Sequence, residues 1–196
     1  TIKLVGVDKK QAGKLRKKYK NGKLVPITRT ANVGELAQLY READVYVNGL
    51  GISVKSHRGA NPAFLNHTHR AGFLKVCERV GVSIDELDKI IRDYWVRRQS
   101  GIIGEDIKNS DPNSPFKDHL AYLKPIMNYF LFTGTAKKDS TYPADYILDF
   151  IDPLNEYAWK FSRDEYLDDN WDHIIFSVRS TAMPRSYPTG QDAVDI

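Results

Sequence analysis

The chain has 196 residues, of which 41% are hydrophobic and 28% are charged. This composition is too apolar for a disordered chain, and the length suits one full-sized domain, with or without a short extra lobe. No run approaches the roughly 20 apolar residues of a membrane helix, Thr1 is not followed by a signal-like segment, and the lone Cys77 excludes an internal disulfide. We therefore expect a cytoplasmic globular protein.

The formal net charge of +4 conceals an uneven distribution. The first 30 residues hold ten lysines and arginines against one acidic residue, Asp8, whereas the remainder holds 19 basic and 24 acidic residues. A cationic amino-terminal segment suits a polyanionic partner. A lysine-rich helix that only faces solvent explains the same charge equally well.

The amino-terminal quarter predicts alternating strands and helices. A strand is expected over residues 2–7, a helix through the basic run and a second strand over residues 24–27. Asn32 and Glu35 have capping-box spacing and start a helix that should end near Glu42. These elements form a basic β-α-β-α lobe over residues 1–43, and residues 44–196 form the second region.

A β-hairpin follows and is the clearest local prediction. Residues 44–47 alternate as a strand, Asn48-Gly49 is a strong turn signal, and residues 51–55 resume the extended pattern. The turn brings Asp44 near Lys55.

Beyond the hairpin, helical and extended patterns alternate. Helices are predicted over residues 66–80, over residues 83–98 with Ser83 as the amino-terminal cap, and over residues 117–132 with a kink at Pro125; residues 102–115 read as a loop. Strands are predicted over residues 146–151, 157–161 and 173–178. The chain is therefore expected to be α/β, with a central mixed β-sheet flanked by helices.

The hairpin pair has the chemistry of a magnesium-dependent nuclease. Such an enzyme needs a carboxylate to hold a hard cation and a lysine to orient the attacking water and offset charge on the phosphate. Asp44 and Lys55 meet this requirement, although a charge pair at a strand edge has the same pattern.

The motif Ser53-Val54-Lys55, with Asp44 eleven residues before the lysine, resembles the PD-(D/E)XK restriction endonucleases, and among them the short-site, CCGG-cutting type. The similarity spans about residues 44–188 and includes further short stretches: residues 76–83, 86–87, 143–145, 152–154 and 156–157. It implies a restriction-endonuclease-like core and a type II enzyme that cuts double-stranded DNA with Mg²⁺, as a monomer or homodimer. It also implies that Asp44 is the metal carboxylate, that Lys55 is the catalytic lysine and that Ser53 binds a metal-coordinated water.

Two departures from the family pattern affect the metal site. Ser53 stands where Asp or Glu is common, and Ala43, not proline, precedes Asp44. A second carboxylate could come from Glu35, Glu42 or Glu78, and spacing does not choose between them.

Several residues are candidates for contact with DNA. His57, Arg58 and Asn66 lie just past the hairpin, and Arg70 follows them. Arg179 and Arg185 lie in or beside the last predicted strand, where a guanidinium can donate two hydrogen bonds to guanine. Surface ion pairs are the alternative role for these arginines.

Two other functions remain open. Residues 2–48 are similar to the start of the nucleotide-sugar-binding domain of a GT-B glycosyltransferase, notably at residues 4–7, 28–32 and 43–48. The acidic donor-binding segment expected after Asn48 is missing, and the resemblance covers only the first quarter. A DNA-binding module without catalysis is the other alternative.

Overall fold

A computed structural model describes residues 3–4, 42–57, 62, 64–65, 68–180 and 185–195. The described residues form two compact units. Those within Thr1–Phe64 and Phe130–Arg163 make the sheet unit, and those within Leu65–Tyr129 and Asp164–Ile196 make the helical unit. The predicted basic lobe lies almost wholly outside the described residues, so its boundary at residue 43 stays a prediction.

In chain order the described strands and α-helices are β1 (Lys3–Leu4), β2 (Val45–Val47), β3 (Leu50–Ser56), α1 (Arg70–Val80), α2 (Ile84–Gln99), β4 (Asp106–Lys108), α3 (Leu120–Asn128), β5 (Tyr146–Phe150), β6 (Lys160–Ser162), α4 (Tyr166–Asn170) and β7 (Ile175–Ser177). Short 3-10 turns lie at Lys117–His119, Glu156–Ala158 and Trp171–His173, and a π-helical turn lies at Tyr129–Thr133. The mixed α/β class is confirmed.

The sheet unit contains a mixed sheet in the order β1-β2-β3-β5-β6. Strands β1, β2 and β3 are antiparallel neighbours, β5 runs parallel to β3, and β6 is antiparallel to β5. The β3–β5 pairing is the long-range link, since it joins two segments about 90 residues apart. It places the end of β3, with Lys55, beside the end of β5.

The predicted hairpin is confirmed at its turn. Asn48 and Gly49 have φ values of 51° and 85°, the left-handed conformations that a two-residue type I′ turn requires. This turn sets the register in which Val45 faces Ile52 and Val47 faces Leu50. Asp44, one residue before β2, is thereby brought beside the middle of β3.

Gly51 allows the hairpin to lie close to the segment that leads into β5. A Cβ at this position would lie 2.3 Å from the Pro143 carbonyl oxygen and 3.0 Å from the Ala43 Cβ. The Gly51 amide donates to Asp145 Oδ2 at 2.7 Å, and the Asp145 amide donates back to the Gly51 carbonyl at 2.7 Å. Glycine is needed here because the backbones approach too closely for a side chain.

The helical unit buries an aromatic and aliphatic core. Tyr94 contacts Trp95 edge to face at 5.1 Å, and Phe116 stacks on Phe176 at 4.1 Å. Helix α2 begins as predicted, because the Ser83 hydroxyl accepts a hydrogen bond from the Asp85 amide. The Cys77 thiol is buried, as expected for a structural cysteine.

Four sequence predictions need correction. Helix α1 begins at Arg70, since His69 before it is extended. Residues 102–115 contain strand β4, which pairs with β7. The strand expected over residues 157–161 is a 3-10 turn followed by β6, and the last helix passes from α3 into a π-helical turn. Glu42 lies in a bend, and the helix predicted before it lies outside the described residues.

Among the residues that the structure describes, no helix combines the length and the apolar character needed to cross a membrane.

Candidate catalytic site on the sheet unit

The segment that enters β2 places two carboxylates at the edge of the hairpin. The backbone amides of Glu42 and Ala43 both donate to the Tyr142 carbonyl, at 3.2 and 3.1 Å, and Ala43 is buried. The Asp44 amide donates to the Ile52 carbonyl at 2.8 Å. The backbone that carries both acids is therefore anchored on two sides.

Asp44 is held further through its side chain. Its Oδ2 accepts a hydrogen bond from the Val54 amide at 2.7 Å. Because the donor is an amide and the acceptor is ionised, this bond is stronger than a neutral one. It fixes the carboxylate next to β3 through Oδ2 and leaves Oδ1 out of this contact.

The face of the sheet that carries Lys55 changes from buried to charged along the strands. Ser53, Ile147 and Ser162 are in register on three neighbouring strands, and each is at most 2% exposed. Two residues further along, Lys55 on β3, Asp149 on β5 and Lys160 on β6 are in register. In-register residues two apart share a face, so a charged row borders a buried row.

His57 extends the charged row. Its backbone amide donates to the Phe150 carbonyl at 2.9 Å, which continues the pairing of β3 with β5. Its Nε2 lies 2.6 Å from Asp149 Oδ1. Lys55, Asp149 and His57 thus lie together at the carboxyl ends of two parallel strands.

The charges of Lys55 and Asp44 influence the pKa of Glu42. Burial raises the pKa of the Glu42 carboxyl from 4.5 to about 7; the Lys55 amine opposes the shift and the Asp44 carboxylate adds to it. Glu42 and Asp44 are separated by one residue in the chain. The site therefore contains two neighbouring carboxylates and an amine.

The two acids suit a hard divalent cation. Mg²⁺ is held in proteins by one or two carboxylates, with water and substrate phosphate in its other positions. Glu42 and Asp44 supply such a pair, and like-charge repulsion between them would be relieved by a cation. Among the described residues, no group of three or more His, Cys, Asp or Glu side chains is placed to hold a metal ion.

The structure brings some of the sequence-predicted site residues together. Asp44, Ser53, Lys55 and His57 share one region of the sheet unit, although Ser53 belongs to the buried row, so its contact with a bound water stays a prediction. Among the candidate second carboxylates, Glu42 is at the site, Glu78 is exposed on α1 of the helical unit, and Glu35 lies outside the described residues.

The DNA-contact candidates have different surroundings. Arg70 forms a two-pronged ion pair with Asp88, at 2.9 and 2.7 Å, which gives it a structural role in the helical unit. Arg179 is 71% exposed and lies 3.1 Å from Glu105, and Arg185 is exposed. Arg58 and Asn66 lie outside the described residues.

Asp149 was not identified from the sequence. It follows three apolar residues on a predicted strand, and no local motif marks it. Only its pairing with a strand 94 residues earlier reveals its position beside Lys55. Comparisons of the chain with protein-family models, with curated proteins and with solved structures each found no match.

Proposed function

We propose that the chain is a Mg²⁺-dependent, sequence-specific endonuclease of the type II restriction class that hydrolyses phosphodiester bonds in double-stranded DNA. The observation that carries the proposal is the hairpin that holds the Asp44 carboxylate on the Val54 amide, one residue before Lys55, with Glu42 two residues before Asp44. The finer assignment, a restriction-endonuclease-like core, is supported by the hairpin that has Asp44 at its entry and Lys55 near its end.

The residues divide the work of hydrolysis between them. Glu42 and Asp44 would hold Mg²⁺, which when bound lowers the pKa of water and polarises the phosphate. Asp44, fixed by the Val54 amide, positions its free oxygen without a large rearrangement. Lys55 places a positive charge where the phosphate gains negative charge in the transition state, and it orients the attacking water.

Glu42 supplies the second carboxylate that Ser53 cannot. The common family pattern has an acid at the position of Ser53, and here that position is buried in the sheet. Glu42 lies two residues before Asp44 on the segment that enters β2, where the charges of Lys55 and Asp44 both influence it. We therefore assign the second metal carboxylate to Glu42 and not to Glu78.

Sequence reading is assigned to exposed arginines. Phosphate contacts carry no sequence information, whereas an arginine can donate two hydrogen bonds to the O6 and N7 of guanine. The exposed pair of Arg179 with Glu105 is a weak surface interaction, so the guanidinium is able to exchange it for DNA. Arg179→Ala and Arg185→Ala should each weaken cognate binding by about 1–3 kcal/mol and leave non-specific binding nearly unchanged.

Incubation of the purified protein with plasmid DNA tests the proposal. Discrete fragments should form with Mg²⁺ and not with EDTA. Lys55→Met should abolish cutting, whereas the matched control Lys89→Met, on an exposed lysine of α2 paired with Glu86, should cut normally.

Two results would contradict the proposal. An intact plasmid with slowed mobility indicates a binding module. Intact plasmid together with a raised melting temperature in a nucleoside diphosphate sugar favours the glycosyltransferase resemblance.

A further inference from the structure

His57 and Asp149 form an acid–base pair whose role the two-carboxylate and lysine site does not explain. Their side chains meet at 2.6 Å, with Asp149 only 15% and His57 35% exposed. The contact occupies the Nε2 nitrogen of the imidazole. At this distance the imidazole and the carboxylate form an ion pair when the imidazole is protonated.

The imidazole is held in a defined orientation. The His57 backbone amide donates a hydrogen bond to the Phe150 carbonyl, and the side chain lies against the Asp149 carboxylate. Among the described residues, no hydrogen-bond partner is found for Nδ1. A histidine held by a carboxylate at one nitrogen presents the other for proton exchange, which is the arrangement of many catalytic histidines.

His57 is also well placed relative to Lys55. The two residues are two positions apart on one face of an extended strand, a separation of about 6.6–6.8 Å between their Cα atoms. In an in-line displacement the attacking and leaving oxygens lie on opposite sides of the phosphorus. Lys55 and His57 of one strand can therefore act on the attacking and the leaving oxygen of the same phosphate.

We propose that His57 is the proton donor to the leaving oxygen of the cleaved phosphodiester and that Asp149 is its positioning residue. This inference rests on the proposed nuclease function. Water gives one proton to solvent, and the resulting hydroxide attacks phosphorus and forms a new P–O bond. The bond from phosphorus to the leaving sugar oxygen breaks, and its electron pair goes to that oxygen. The oxygen takes the Nδ1 proton of imidazolium, which becomes neutral imidazole and is recharged from solvent.

A substrate that needs no proton on its leaving atom provides the test. Product ends first identify which bridging oxygen leaves, and a duplex is then made with sulfur at that one position. A thiolate departs without protonation because it is a much weaker base than an alkoxide. Each variant is compared with the unmodified protein on the same duplex, so any change in metal affinity for sulfur cancels.

His57→Gln should cleave the oxygen duplex about 100-fold or more slowly, the usual scale of general acid catalysis. On the sulfur duplex it should cleave within about threefold of the unmodified protein. Asp149→Asn should show a smaller loss with the same rescue, which a purely structural role would not produce. His119→Gln is the matched control, since His119 is 33% exposed and contacts Glu86 at 3.4 Å in the helical unit.

Three outcomes would overturn the inference. Equal losses on the oxygen and sulfur duplexes assign His57 to binding or folding, and an unchanged rate on the oxygen duplex removes it from the reaction. In both cases the proposed nuclease function stands. If the unmodified protein cleaves neither duplex, the nuclease function and the inference fail together.

Discussion

Replacement of Asp44 by asparagine or by alanine separates its two proposed roles. Asp44 accepts the Val54 amide through Oδ2 at 2.7 Å and is also assigned to the metal. Asparagine keeps an acceptor oxygen and loses the charge, whereas alanine loses both. Asp44→Asn should therefore lower the stability in part and Asp44→Ala should lower it further, whereas either change should abolish cleavage.

The size of each step follows from the hydrogen bond. A bond to a charged group contributes about 1.5–3 kcal/mol and a neutral one about 0.5–1.5 kcal/mol. Asp44 is exposed and Val54 is only partly buried, so water partly replaces the lost partner. We expect Asp44→Asn to lower the free energy of unfolding by about 0.5–1 kcal/mol and Asp44→Ala by about 1–2 kcal/mol. Part of each loss is offset because the repulsion with Glu42 is relieved.

Thermal melts with and without Mg²⁺, together with plasmid cleavage, measure both roles. At about 2–4 °C per kcal/mol for a chain of this size, Asp44→Ala should melt about 2–8 °C below the unmodified protein in EDTA, with Asp44→Asn between them. Mg²⁺ should raise the melting temperature of the unmodified protein and leave that of both Asp44 variants unchanged. Cleavage by Asp44→Asn at the normal rate would refute metal binding, and identical melts in EDTA would refute the stabilising bond.

Three further predictions concern the scaffold. Gly51→Ala should lower the free energy of unfolding, measured by urea denaturation, by about 1–3 kcal/mol, the cost typical of overpacking, because its Cβ would meet the Pro143 carbonyl. An unchanged free energy would contradict the close approach. Arg70→Ala should destabilise the protein by about 3–5 kcal/mol in chemical denaturation, because buried Asp88 loses its partner; lost DNA affinity at full stability would instead make Arg70 a DNA contact. Burial raises the pKa of Tyr122 above its ordinary value of 10, so the folded state holds this proton more tightly and stability falls as the pH rises past 10. Tyr122→Phe should make that fall shallower when the free energy of unfolding is measured in urea at several pH values. An equally steep fall in the variant would show that Tyr122 is not its cause.

The sequence predicted those elements that begin or end at a residue with a distinctive turn or capping role. Asn48-Gly49 predicted the hairpin because few residues adopt two successive left-handed conformations. Ser83 predicted the start of α2, since its side chain satisfies an amide that the helix leaves free. Asp44 and Lys55 were found because the same hairpin brings them together.

Features that depend on distant pairing were missed or displaced. Strand β4 has three residues, too few for a readable alternation, and it forms by pairing with β7, which lies within the strand predicted over residues 173–178. The strand predicted over residues 157–161 begins at Lys160, where pairing with Asp149 becomes possible. Asp149 itself gained a role only through its register with Lys55.

The choice of the second carboxylate was also beyond the sequence. Spacing left Glu35, Glu42 and Glu78 equal, because each was expected on a helix of unknown direction. The bend at Glu42, held by the Tyr142 carbonyl, turns its backbone toward the hairpin edge. That contact spans 100 residues of chain and leaves no local pattern.

The rate of Mg²⁺-dependent plasmid cleavage by Glu42→Gln, measured beside Glu78→Gln, tests the proposed catalytic centre most directly. Both changes remove one carboxylate charge, and Glu78 is an exposed residue of α1. We predict that Glu42→Gln lowers the rate at least about 100-fold, because loss of a metal ligand removes the ion that activates water, and that Glu78→Gln cleaves at the normal rate. Normal cleavage by Glu42→Gln, or loss of cleavage only in Glu78→Gln, would contradict the assignment of Glu42 and Asp44 as the metal-binding pair.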